Sequence, residues 1–262
     1  MPNNNWTREE LILAFQWYCT KISFTKIKYT KPEVIELANL IGRTPSAVAF
    51  KLVNFARLDP ELQKRGVKGM SHGSNAEEPI WNEFHNNWNE LAYESELVLA
   101  KYKQQSVEQV AEIETFDLPK EGKEREAIVK VRVNQNFFRK SVLLSYQNQC
   151  CITGLAIPEL LVASHIIPWS KNIKERCNPG NGVCLNALHD KAFDRGLITI
   201  TNDYKILISE KLLSRNKEEV ISNYFIPYHK KEIIKPNRFF PNEEFLKYHR
   251  QNIFLDNENS KS

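Results

Sequence analysis

The sequence predicts an α+β protein. A helical domain with a helix-turn-helix-like hairpin covers residues 1–105, a linker 106–126, and a domain of short strands and short helices 127–262. Three observations predict this division. Apolar residues before residue 105 recur at helical spacing, and beyond residue 150 short apolar runs alternate with turn residues. Charge also divides along the chain: residues 1–72 carry net +5, residues 73–118 net −8 and the remainder +7, within a total of +4.

In the first domain, Leu11, Leu13, Ala14, Trp17 and Tyr18 mark a helix that Thr7 caps, with Glu10 three residues on. Pro32 suits a first helical position, and Val34, Ile35, Leu37, Ala38 and Ile41 form a second helix that Gly42 ends. Thr44-Pro45 opens a third, through Val48, Ala49, Leu52 and Phe55. The tight turn between the last two makes a helix-turn-helix plausible. Such a motif would turn Ser46, Ala47, Phe50, Lys51 and Asn54 toward a DNA groove, with Arg43 and Arg57 near phosphates. A helical hairpin with no DNA role is the competing reading. Residues 64–75 read as a loop, 77–103 as one long helical stretch with an acidic side, and 104–125 as linker sequence ending in the Lys/Glu-rich run after Pro119.

In the second domain, residues 134–148 read as a helix and Cys150–Gly154 as a strand ending in a turn. Leu160–Pro168 and Val183–Leu185 are further strands, and Ala187–Phe193 is a short helix. A hairpin spans 197–209 across Asn202-Asp203, and a final helix spans Asn242–Asn252.

Length and composition bound the function. At 262 residues and 30.6 kDa the chain is long enough for two domains, and 42% hydrophobic residues exclude global disorder. No window approaches the ~20 consecutive apolar residues of a membrane span. The start lacks a basic flank followed by an apolar run, and five cysteines with no CxxC pair fit a reducing cytoplasm. Zinc held by four sulfurs is not expected; packing thiols are. Two basic blocks around an acidic one suit phosphate contacts, or are ordinary solvated surface.

The chemistry-bearing run is Ser164-His165-Ile-Ile-Pro168-Trp169, then Asn181-Gly182, then His189-Asp190-Lys191-Ala-Phe-Asp194-Arg195-Gly196. Hydrolysis of a phosphodiester needs a base for water and a cation for the charge on phosphate. His165, with an unperturbed pKa of about 6.5, suits the first task. Asp190 and Asp194, four apart, share a helix face and offer hard oxygen ligands. Asn181 can hold the imidazole or the loop beside it. Taken singly each has a plainer reading: a structural histidine, an Asn-Gly turn, a helix-start carboxylate, a surface ion pair.

Together the residues resemble the HNH endonucleases, closely over 148–200, and the flanks resemble those of bacterial restriction-type members. The resemblance implies a ββα-metal fold, His165 as general base, Asn181 as its support, and a divalent cation, Mg²⁺ or Mn²⁺ before Zn²⁺ or Ni²⁺. Ser164 stands where many members have a metal-binding Asp or His. His189 falls eight residues after Asn181, one short of many relatives, which favours Asp190 with Asp194 as ligands and leaves His189 as an alternative.

The expectation is therefore a metal-dependent DNA endonuclease of a restriction or defence system, acting on double-stranded DNA and dimeric to cut both strands. Lys171, Lys174 and Arg195 would join Arg43, Ser46, Lys51, Asn54 and Arg57 in holding DNA. The competing class is a non-catalytic DNA-binding regulator on a degenerate HNH scaffold; a third is an interaction protein docking through the acidic stretch 77–103.

Overall fold

The computed structural model describes residues 5–66 and 75–256. Most of the Gly/Ser-rich loop expected at 64–75, with His72, lies outside the described residues. The chain forms two compact units. One comprises residues 1–144 with 174–178, the other 145–173 with 179–262. Among the described residues no helix is long and apolar enough to cross a membrane.

The first unit is helical: α1 (Arg8–Thr20), α2 (Pro32–Ile41), α3 (Pro45–Leu58), α4 (Pro60–Lys64), α5 (Glu77–Phe84), α6 (Trp88–Lys103), α7 (Val107–Val110) and α8 (Lys123–Ser145), whose last residue begins the second unit. Local chemistry sets the ends. Thr7 and Glu10 close a capping box on α1, Gly42 takes the left-handed conformation after α2, and Thr44 caps α3 ahead of Pro45. The helices close on aromatic residues. Phe15 stacks on Phe55 with ring centroids 4.7 Å apart, beside the buried Tyr18, Trp81 and Trp88. The stretch 77–103 breaks into α5 and α6 at Asn87, whose backbone leaves the helical region.

Two expectations change here. Residues 106–126 are not a free linker. Ser106 and Gln109 form a capping box on α7, Arg125 donates to Glu108 at 2.7 Å, and Ala111 and Ile113 pack with Val129 and Val133 of α8. Burial of those apolar residues draws α8 into the first unit, so the boundary falls after Leu144 rather than near Ala127.

The groove-facing assignment also changes. Lys51 and Asn54 are buried, and both reach Glu77, at 2.5 Å and 3.1 Å. Arg43 forks onto Glu10 at 2.9 and 3.0 Å beneath the Trp6 ring, and Arg57 donates to Glu78 at 3.2 Å. Each carboxylate already satisfies the cation that a phosphate would need. Of the five residues expected to face a groove, Ser46 and Phe50 are exposed on α3 and Ala47 is half-buried.

The second unit carries two antiparallel hairpins, β1 (Leu161–His165) with β2 (Gly182–Asn186), and β3 (Ile198–Ile200) with β4 (Ile206–Ile208). Between them lies α9 (Ala187–Asp194), followed later by α10 (Glu210–Leu213), α11 (Glu219–Tyr224) and α12 (Glu243–Asn252). Cys150–Gly154, expected as a strand, is a turn. The core includes Val183, Cys184, Leu185, Phe193, Ile198, Ile200 and Leu246. All five cysteines of the chain are free, buried thiols.

Candidate active site

β1 runs antiparallel to β2 with His165 opposite Gly182, so the histidine closes the strand at the mouth of the hairpin. β2 ends at Asn186, whose side-chain oxygen accepts the His189 N–H at 2.9 Å and so starts α9 without a connecting loop. β1 and β2 both pack against α9. The strand–strand–helix order therefore sets the end of β1 beside the end of α9. His165, Lys191, Asp194 and Arg195 line one recess of about 260 Å³ with Pro168, His249 and Ile253.

Asn181 shapes the turn after His165. Its backbone oxygen accepts the Ile166 N–H at 2.9 Å. Its side chain grips Ile167 at two points, accepting the N–H at 2.8 Å and donating to the carbonyl at 3.1 Å. Both groups are buried, so the grip satisfies backbone atoms that would otherwise be costly. Trp169 then meets the His165 ring edge-on, with centroids 5.6 Å apart. The imidazole thus sits between a clamped backbone and an aromatic edge, half-buried rather than sealed.

On α9, burial raises the Asp194 carboxyl above its ordinary value, and the charge of Asp190 raises it further; Lys191 and Arg195 oppose both. Asp190 is half-buried one turn earlier, outside the recess lining. Two carboxylates and two cations therefore alternate at the same four-residue spacing. Lys191 is the site residue that sequence reading passed over as a surface pair. Its four-residue separation from Arg195, parallel to that of the two aspartates, is the signal that could have found it.

His249, on α12, forms the apolar floor. Its ring stacks on Phe193 at 3.7 Å, while Thr199 Oγ1 and the Phe193 carbonyl lie 2.8 and 3.2 Å from its nitrogens. Burial pulls its pKa down to about 4, so it is neutral at pH 7.

His189 does not join this group. It is buried, with Nδ1 3.1 Å from Asn186 Oδ1 and Nε2 2.7 Å from the Tyr224 carbonyl, and it meets Phe225 and Tyr228 edge-on. Both ring nitrogens already serve the fold, which corrects its assignment as a metal ligand. Its further contact is Cys150. Burial pushes that thiol up, but hydrogen bonds from His189, Thr153 and nearby backbone outweigh it and hold the thiol at about 7. Ser164, next to His165, is buried with no hydrogen-bond partner for its hydroxyl. Lys171 is exposed in the second unit; Lys174 is exposed within residues 174–178, which belong to the first.

Residues 150–201 match the HNH endonuclease family, a segment that holds the turn at Cys150, both strands of the first hairpin, α9 and β3. No curated protein matches the chain.

Proposed function

Starting from the HNH endonuclease module that residues 150–201 give this chain, we propose that it is a metal-dependent endodeoxyribonuclease whose reaction takes place in the His165–Asp194 recess. One observation carries the reading: an imidazole, a carboxylate and two cations line a single recess at the end of a strand–strand–helix unit. His165 takes the proton of the attacking water, which a neutral imidazole does readily near pH 7. Lys191 and Arg195 neutralise phosphate oxygens and hold the strand in register for attack. Lys171 is exposed, and its backbone N–H meets the carbonyl of the recess residue Pro168, so it would add a further cation for the backbone. Asn181 acts through the loop it clamps and keeps the imidazole placed; it is a positioning residue.

The donor set fits a hard divalent cation. Asp194 is raised by burial and by Asp190, a juxtaposition of carboxylates that a cation would relieve. Among the described residues no group of three or more His, Cys, Asp or Glu side chains closes around one point. Two carboxylates with the remaining positions left to water and phosphate suit Mg²⁺ or Mn²⁺ and not a closed zinc cage. Asp190 and Asp194 would hold the ion, which supplies charge neutralisation at the phosphate and the leaving oxygen.

The test is relaxation of supercoiled plasmid DNA. The wild-type protein nicks it in Mg²⁺ or Mn²⁺ and stops when EDTA is added, and His165→Ala abolishes nicking. Asp194→Asn raises the cation concentration needed by well over tenfold, since even changes beyond the direct ligands cost about 10–100-fold in metal affinity. Cleavage unchanged in His165→Ala refutes the assignment. One recess cuts one strand, so nicked circles precede linear product; linear product from the outset would indicate a second copy on the duplex and a dimer. A restriction or defence role predicts that expression protects cells from unmodified foreign DNA.

A further inference from the structure

The recess in the second unit leaves one surface of the first unit without a role. Phe50, on the outer face of α3, is 52% exposed, and Tyr29, in the connection before α2, is 61% exposed. Phe116 is also exposed, but Tyr29 and Phe50 share one groove, and it is a contiguous apolar surface, not a single exposed ring, that marks a binding site. The two rings line a single groove of about 350 Å³, walled by Ile27, Thr30, Ala49 and Val53, with Lys28 and no carboxylate in its lining. Lys26 and Lys28 are both exposed, and Lys31 follows in the same connection.

The shape separates two ways of meeting DNA. A recognition helix enters a major groove as a projecting ridge, its side chains reaching base edges. Ala49, Phe50 and Val53 of α3 instead line an open groove together with residues 27–30. Two of the five residues expected to face a groove, Lys51 and Asn54, are spent on Glu77. What the groove offers is aromatic surface with Lys28 in its lining and Lys26 and Lys31 close by in sequence, the combination that receives an unstacked base with its phosphates alongside.

We propose that the Tyr29–Phe50 groove binds an unpaired nucleobase of single-stranded or locally opened DNA, stacked on those rings, with Lys26, Lys28 and Lys31 along the backbone. The proposal rests on the reading that the chain acts on DNA and deepens it by naming the form of DNA the first unit prefers. It is a second contact, built from residues outside the family match.

The experiment uses the full chain in EDTA and a short fluorescein-labelled oligothymidylate, with a blunt duplex of equal length as comparison, read by fluorescence anisotropy. The wild-type protein binds the single strand more tightly than the duplex. Phe50→Ala and Tyr29→Ala each weaken single-strand binding roughly five- to hundredfold, whereas Phe50→Trp retains it. Lys28→Gln weakens binding and flattens its salt dependence. Circular dichroism confirms that each variant is folded, as expected for exposed positions. Equal binding by Phe50→Ala and wild type, a preference for the duplex, or no binding to either DNA overturns the proposal. Plasmid nicking in Mg²⁺ reads the nuclease separately. Nicking with no single-strand preference sinks this groove alone, and single-strand preference without nicking sinks the nuclease alone.

Discussion

The Lys51 ammonium lies 2.5 Å from a Glu77 carboxylate oxygen, and neither side chain is more than 8% exposed. Asn54 donates to the same oxygen, and Trp6 covers the lysine with its ring 5.4 Å away. A charge pair this deep ties α3 to α5, because each ion left alone would have to be buried without its counter-charge.

That dependence predicts an asymmetric outcome. Lys51→Met leaves Glu77 uncompensated and destabilises the protein by about 3–5 kcal/mol. Glu77→Leu does the same to Lys51. The double variant, with both charges gone, recovers most of the loss. Urea denaturation of the four proteins measures the coupling. Additive losses in the double variant would mean that the pair contributes nothing beyond its separate parts.

Gly196, directly after the helix that bears Asp194, admits no side chain. Its φ is +66°, and a Cβ there would come within 1.9 Å of the Ile253 carbonyl oxygen. Its own carbonyl accepts the Leu255 N–H at 3.0 Å, so the segment that follows α12 lies against it. Ile253 and His249 both line the recess. Gly196→Ala combines a left-handed backbone with a backbone collision, and the expected loss exceeds about 2 kcal/mol. Plasmid nicking falls further than in variants of equal stability loss made elsewhere. A variant with wild-type melting temperature would contradict the close approach.

Two buried groups give the units opposite responses to pH. His249 takes its proton only at about 4 in the folded state, against an ordinary 6.5. Between those values the unfolded chain binds a proton that the folded chain refuses, so stability falls as pH drops from about 6.5 to 4, by at most about 3 kcal/mol. In the first unit, burial raises Glu96 to about 7 from an ordinary 4.5, with Lys140, Lys21 and a hydrogen bond from Gln16 opposing. Here the folded chain keeps a proton that the unfolded chain has released, so stability falls as pH rises from about 4.5 to 7. Denaturation curves across pH 4–8 check both. His249→Gln removes the acid-side slope and Glu96→Gln the slope on the rise to 7; unchanged slopes would refute the assignments.

Helix starts and stops were legible because they depend on neighbours in sequence. Thr7 with Glu10, Gly42 and Thr44-Pro45 each act within one turn, and the structure places helix ends at all of them. The strand–strand–helix order of the second unit was legible by another route, the resemblance carried by His165, Asn181, Asp190 and Asp194 in that order. What was not legible depends on distant partners. Nothing local tells that Lys51 meets Glu77, or that His189 meets the Tyr224 carbonyl, so an inward-facing cation and an inward-facing imidazole both read as ligand-binding groups. The boundary after Leu144 was hidden for a related reason. A Lys/Glu-rich run signals a solvated surface equally well in a linker and on the first turn of α8.

Asn181 gives a last prediction that separates positioning from binding. Replacing it with alanine leaves the Ile167 N–H and carbonyl buried without their side-chain partner, a loss on the order of 2–4 kcal/mol for two such groups. The turn between His165 and Trp169 loosens, while Lys191 and Arg195 keep their places at the end of α9. On the proposed reading, Asn181→Ala lowers kcat for plasmid nicking by one to two orders of magnitude, as expected for a displaced base, and leaves KM for DNA near the wild-type value. Aspartate is the informative companion. It can still accept from the Ile167 N–H, but it sets a carboxylate oxygen against the Ile167 carbonyl where the amide donated, so it does not rescue the rate. A rise in KM with kcat unchanged would instead place Asn181 against the DNA itself.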